Sequence, residues 1–213
     1  MNVEVWSDLV CPWCYLGKHR LEAVLQEFPG DVTVTFRAFQ LDPAPVPRPL
    51  PVKQAVAAKL GDPERVEQMF TQVTSLAAGE GLVLDFDRAI AANTFDAHRL
   101  AAWAATQDLQ LMMIDTLQRA HFEQGVDLGS RTELARLAGS IGLNEQAAGI
   151  YLASHAGTDA VNADLAEARE LGITSVPTLV IDGRYVVQGA QEKAVLHSAL
   201  EEIARRESVD VDQ

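Results

Sequence analysis

Strand-forming sequence is confined to the two ends of this chain; between Ala38 and Thr178 the residues carry helical or loop signals. At the start, Val3, Val5 and Trp6 read as a short strand, followed by Ser7-Asp8-Leu9-Val10 and two cysteines. From Tyr15 the period changes: Leu21, Val24, Leu25 and Phe28 share one helical face, and Pro29-Gly30 stops the helix. Val32 to Ala38 then alternates strictly, as a strand does. At the far end, Thr178-Leu179-Val180-Ile181 and Tyr185-Val186-Val187 flank Asp182-Gly183, a strong hairpin signal. A last amphipathic helix places Leu196, Leu200 and Ile203 together. Each outer piece is under roughly sixty residues and too small to fold alone. They form one domain if their strands join one sheet, with a parallel pair across the first helical crossover.

The middle reads as a helical block. Leu41 to Pro51 is a rigid linker carrying Pro43, Pro45, Pro47, Pro49 and Pro51. Pro63 opens a helix with Val66, Met69, Phe70 and Val73; Thr94 is the N-cap expected for Phe95 to Thr106, and another helix covers Leu109 to Phe122. Ser130-Arg131-Thr132-Glu133 is a capping box ahead of Leu134, Leu137 and Ile141, and Asn144 caps a further helix. The last, Thr158 to Leu171, closes on Gly172. Met112-Met113 is expected in the helical core, and Lys18 on a solvated face. The division expected is 1–45 with 173–206 as the sheet-bearing domain, 46–172 as a helical insertion, and 207–213 as a flexible tail.

The chain has 213 residues, 48% of them hydrophobic, enough to pack a core without staples. No apolar run reaches membrane-spanning length, and Met1-Asn2-Val3-Glu4-Val5 lacks a secretory pattern, so the expected address is the cytoplasm. A formal charge of −13 argues against nucleic acid or an anionic membrane surface as partner.

Only two cysteines occur, Cys11 and Cys14. A disulfide closing so short a loop constrains little of the unfolded chain, which leaves redox chemistry or metal binding. Half a zinc site would need two more ligands; no other cysteine exists, and the five histidines lack His-x₃₋₅-His spacing, so no metal is expected. A buried, inert pair is the remaining alternative. For exchange chemistry, Cys11 at a helix N-terminus would be the nucleophile, its anion favoured by unpaired amides, and Cys14 one turn on the resolving thiol. Pro12 suits the first helical turn.

Trp6-Ser7-Asp8-Leu9-Val10-Cys11-Pro12-Trp13-Cys14-Tyr15-Leu16-Gly17 resembles the active-site segment of the FrnE-like branch of the DsbA-like thioredoxin superfamily. Phe36 to Pro43, Asn93 to Leu100 and Gly172 to Thr178 are similar to further segments of that family, in the same order. The resemblance implies a thioredoxin-like α/β fold interrupted by an all-helical insertion, with protein-disulfide oxidoreductase or isomerase activity. It also implies a cis bond at Val176-Pro177, facing the cysteines, so that the Val176 backbone can pair with an extended substrate as an added strand. On residues alone, Val176-Pro177 reads as a strand entry. Phe39 and Gln40, with Leu41, should by resemblance border the substrate groove; ordinary packing is the alternative. The family's oxidising members carry histidine where Trp13 stands, and an indole offers no charge to a thiolate, which argues against strong oxidising power.

Two further side chains leave both readings open. Asp8 could accept the Cys14 proton or serve as a turn or cap residue. Trp13 could belong to an apolar substrate platform or pack against the domain boundary. His98 and Arg99 are expected in interhelical hydrogen bonds. The function expected is exchange with protein or peptide thiols and disulfides, without a cofactor beyond the redox-active pair. Glutathione enters as a candidate co-substrate, a thioredoxin-type protein as a candidate reductant, and a homodimer is left open. The enzyme alternative is a glutathione-dependent transferase or isomerase of the kappa or hydroxychromene carboxylate isomerase type. Those proteins resemble this chain in layout but carry serine where Cys11 stands and no second cysteine. A non-catalytic, chaperone-like binder is the third class.

Overall fold

The computed structural model describes residues 1–47 and 49–211, the side chains of 208–211 excepted. Strand β1 (Asn2–Ser7) leads into helix α1 (Pro12–Glu27) and strand β2 (Thr33–Ala38). Helices α2 (Val52–Leu60), α3 (Pro63–Gly79), α4 (Phe95–Ala105), α5 (Gln110–Gln124), α6 (Arg131–Ser140), α7 (Glu145–Ala153) and α8 (Thr158–Glu170) follow. The chain then returns through β3 (Thr178–Ile181) and β4 (Tyr185–Gln188) to α9 (Lys193–Val211).

The two ends do make one sheet, in the order β2-β1-β3-β4. β1 runs parallel to β2, with Val5 opposite Phe36, and antiparallel to β3, with Val5 opposite Leu179. The β3–β4 hairpin turns on Asp182 and Gly183, both in the left-handed region that Asp-Gly pairs tolerate. This is the α/β arrangement expected, a small sheet whose sequence is split by helices.

One apolar cluster joins Val3, Val5, Leu179 and Ile181 of the sheet to Leu100 of α4 and Leu117 of α5. The helical segment also covers the free edge of β2. Gln110 donates from Nε2 to the Phe36 carbonyl (2.9 Å) and accepts from the Phe36 amide (3.1 Å), while Asp164 accepts from the Ala38 amide (2.9 Å). These bonds occupy part of the edge that a foreign strand would otherwise pair with.

Several local expectations are met and several corrected. Ser130 and Asn144 cap α6 and α7 by accepting from Glu133 and Ala147 amides. Gly172 adopts φ +67 just beyond α8, and Ile173 N–H closes back onto the Ala168 carbonyl. Thr94 stands at the α4 N-cap, but its hydroxyl makes no capping bond; Asn93 Oδ1 accepts from the Phe95 amide instead. Lys18 is buried, not solvated, because Glu22 and Asp115 of α5 both pair with it. Met113 is core, whereas Met112 is half exposed. The tail expected from 207 is helical through Val211, and 212–213 lie outside the described residues. Among the described residues, no helix is long and apolar enough to cross a membrane.

Candidate active site

Cys11 is the N-cap residue of α1, with Pro12 in the first helical position. Its carbonyl accepts from the amides of Cys14 and Tyr15 (both 3.1 Å), which starts the helix, and its own amide donates to the Asp8 carbonyl (3.1 Å). No side chain caps this end, so the positive pole of a 16-residue helix is left to the Cys11 sulfur. Both cysteines are free thiols; Cys11 is 4% exposed and Cys14 1%. Burial pushes the Cys14 thiol well above its ordinary value, and the adjacent Cys11 pushes it further. The Asp8 backbone and the Ser7 hydroxyl pull the other way.

The Val176–Pro177 peptide is cis, and the Cys11 thiol lies 3.9 Å from the Val176 carbonyl as donor. Gly17 is what lets this loop come so near: a Cβ there would sit 2.9 Å from Pro177 Cγ. Thr178 anchors the loop from behind, donating its hydroxyl to the Ser175 carbonyl (2.7 Å). Phe39 and Val176 pack on one apolar cluster with Trp6, Ile173 and Val180, so both flank the cysteine end of the sheet. Gln40 reaches away, donating to Asn93 Oδ1 at 3.2 Å. Trp13 is half-buried against the cluster formed by Tyr15, Val66, Phe70, Phe86 and Phe122, and so packs on the helical segment.

Asp8 is 1% exposed, and its carboxylate lies beside the Leu41 amide and the His98 ring. Oδ2 accepts from the Leu41 amide (2.8 Å), tying the loop before α1 to the chain leaving β2. Oδ1 lies 3.4 Å from His98 Nε2, and that nitrogen is 3.0 Å from the Phe39 carbonyl. A carbonyl can only accept, so Nε2 carries a hydrogen directed at Phe39, and Asp8 Oδ1 is left buried without a hydrogen-bond partner. His98 thus joins the site from α4. Its sequence distance from Asp8 left no local signal by which to pair them. Among the described residues, no group of three or more His, Cys, Asp or Glu converges as a metal site would require.

His121 of α5 is fully buried behind this region, with neither ring nitrogen hydrogen-bonded. Desolvation lowers its pKa to about 4, against the opposing pull of the Asp8 charge. In the unfolded chain the same ring titrates near 6.5. As pH falls below that value, the unfolded state takes up a proton that the native state refuses. Stability contributed by the neutral ring is therefore complete above pH 6.5 and lost down to about pH 4, a total of about 3 kcal/mol. Urea midpoints at pH 7 and pH 4.5 are expected to differ more in the wild type than in His121→Leu. Parallel shifts in the two proteins would show that the imidazole is not the group responsible.

The family model described as DSBA-like thioredoxin domain matches residues 2–201. A "probable DsbA oxidoreductase" from Streptomyces coelicolor superposes with a TM-score of 0.87 at 36% identity, covering 95% of this chain and 89% of that one. The structure of a 2-hydroxychromene-2-carboxylate isomerase gives 0.74 at 17% identity, over 98% of each chain. The cytosolic disulfide reductase DsbM from Pseudomonas aeruginosa gives 0.63 at 20% identity, over 94% of this chain and 99% of that one. At these identities the last two share the fold.

Proposed function

Because the chain belongs to the DSBA-like thioredoxin domain family, we propose that it reduces or isomerises disulfides of proteins or peptides through Cys11 and Cys14, within the FrnE-like branch. The observation that carries this reading is the asymmetry of the two thiols: Cys11 at an uncapped helix N-terminus beside the Val176 carbonyl, and Cys14 sealed beneath it. Cys11 as thiolate attacks one sulfur of the substrate disulfide; that sulfur bonds to Cys11, and the other departs as a thiolate that takes a proton. Cys14, once deprotonated, attacks the Cys11 sulfur, forming the Cys11–Cys14 disulfide and releasing the second substrate thiol. A substrate strand would lie along Val176 and Pro177, with Phe39, Pro12 and Trp13 as its apolar borders. Asp8 acts in this scheme by holding His98 and the Leu41 segment in place.

A thiol must return the protein to its dithiol form. Glutathione is the candidate favoured by the likeness to DsbM, for which a structure with glutathione exists; a thioredoxin-type protein would serve the same chemistry. The cytoplasm, where thiols are kept reduced, is the setting that suits it. Insulin reduction with dithiothreitol tests the reading. The wild type is expected to accelerate precipitation of the insulin chains, and Cys11→Ser to lose that acceleration. Equal rates from both proteins would overturn the proposal. Turnover with glutathione that survives loss of Cys14 would favour the transferase or isomerase class instead.

A further inference from the structure

The Val176–Pro177 loop beside Cys11 is held from behind by a second turn. The Pro177 carbonyl accepts from the Gly189 amide (2.8 Å), and Gly189 has φ +79, in the left-handed region that glycine tolerates. The next residue, Ala190, lies against α1. A Cβ on Gly17 would meet Ala190 Cα and Cβ at 3.5 Å as well as Pro177 Cγ at 2.9 Å. Loop and turn therefore share the space that the missing side chain leaves on α1.

A buried cation holds the turn. Arg20, on α1 and 7% exposed, donates from Nη1 to the Ala190 carbonyl (2.8 Å) and from Nε to Glu80 Oε1. Glu80 closes α3, on the helical segment. Its other oxygen lies 3.1 Å from Nζ of Lys193, the first residue of α9, as an ion pair outside hydrogen-bond geometry. One carboxylate of the helical segment thus faces two cations beside the turn. The Arg20 and Glu80 side chains are both largely enclosed, so water is a poor substitute for either partner.

We propose that Arg20 is a positioning residue for substrate binding, a proposal that rests on the dithiol reading above. Arg20 holds the Ala190 carbonyl, and the Gly189–Ala190 turn holds the Pro177 carbonyl. The Val176 backbone is thereby fixed beside Cys11, where an extended substrate can pair with it. Glu80 acts one step further back, by keeping the guanidinium in place; without it, Arg20 and Lys193 would be left as two unneutralised cations. A loop fixed in advance binds without an ordering cost, whereas a loop released from the turn must be ordered by each substrate. That cost falls on substrates with a peptide backbone, because these use the Val176 edge. A small disulfide needs the Cys11 sulfur alone.

Two disulfides separate this role from a general loss of structure. One joins two pentapeptides through their central cysteines; the other is hydroxyethyl disulfide, which has no peptide group. Each is added in excess to the reduced protein over a range of concentrations, and the rate of thiol loss is followed. Arg20→Met keeps the apolar stem without the donors, Glu80→Ala removes the carboxylate, and Gly17→Ala drives a methyl group against the Pro177 ring. In each variant, the preference for the peptide over hydroxyethyl disulfide is expected to fall about 10-fold, the scale of one lost hydrogen bond. The loss should reside in the half-saturating concentration of the peptide rather than in its limiting rate. Gly17→Ala leaves the ion pair untouched and so keeps the test open if Arg20→Met does not fold. Arg20→Met combined with Glu80→Ala should lose no more than Arg20→Met alone, because Glu80 acts through Arg20. Variants that react with both disulfides in the wild-type ratio, whether at full or reduced rate, would overturn the proposal, as would losses that multiply in the double variant. A wild type oxidised by neither disulfide would instead overturn the dithiol reading beneath it.

Discussion

Arg99→Ala is expected to cost the fold about 3–5 kcal/mol, the range for stripping one partner from a buried ion pair. Arg99 is 2% exposed on α4, and its guanidinium donates five hydrogen bonds. Nε donates to the Ala156 carbonyl (2.9 Å), and one Nη to Asp96 and to the Leu152 carbonyl (3.3 Å). The other Nη donates to the carbonyls of Tyr151 (3.0 Å) and Ser154 (2.8 Å). These four carbonyls belong to the end of α7 and the turn before α8, where a helix runs out of internal donors. One side chain from α4 thus fastens two later helices. Truncation would leave the four carbonyls facing a void and Asp96 with Arg131 alone. Lysine offers three donors without the planar fork, so Arg99→Lys is expected to recover only part of the loss. Urea unfolding followed by circular dichroism measures it: a lower midpoint at unchanged slope, and a thermal midpoint down by roughly 6–20 °C. A wild-type midpoint in Arg99→Ala would mean that water satisfies the turn as well as the guanidinium does.

What the sequence discloses and what it hides divides along the range of the interaction. The strands, the hairpin at Asp182-Gly183, the caps at Ser130 and Asn144 and the αL glycine at 172 are set by neighbours within a few residues, and all are readable in advance. The pairing of Cys11 and Pro12 at the start of α1 is equally local. Helix α2 escapes because it buries no residue and so carries no amphipathic stripe. It emerges from a proline-rich stretch that reads as linker. Lys18 looks like a surface residue because its partner Asp115 is 97 residues away and invisible until α5 packs against α1. The meeting of Asp8 with His98 is hidden for the same reason, as is the contact of Gly17 with Pro177. Gly17 did leave a trace. A glycine inside a helical pattern is costly, and such a residue marks a close approach by something else. The candidate site is thus half local, in the Cys11–Cys14 helix start, and half tertiary, in the groups that surround it.

Cys14→Ala is expected to stop turnover while leaving the first chemical step intact, so that the protein accumulates as a mixed disulfide on Cys11. Cys14 is held one helical turn from Cys11 at the start of α1 and is sealed from solvent. An oriented intramolecular nucleophile acts at effective concentrations on the order of 10⁵–10⁸ M, whereas an external thiol is present at millimolar levels. Even after a large discount for the raised pKa of the Cys14 thiol, release of the substrate should slow by about three orders of magnitude or more. Mass spectrometry of Cys14→Ala exposed to oxidised glutathione should find one glutathione per chain, removable by dithiothreitol. The wild type under the same treatment should pass to the internal disulfide, with no adduct retained. Because burial raises the Cys14 thiol, that passage should also accelerate as pH rises through the neutral and alkaline range. The opposite pattern, a stable adduct on the wild type and none on the variant, would mean that Cys11 is not the attacking sulfur. The division of labour between an end-of-helix thiol and its buried neighbour would then have to be reversed.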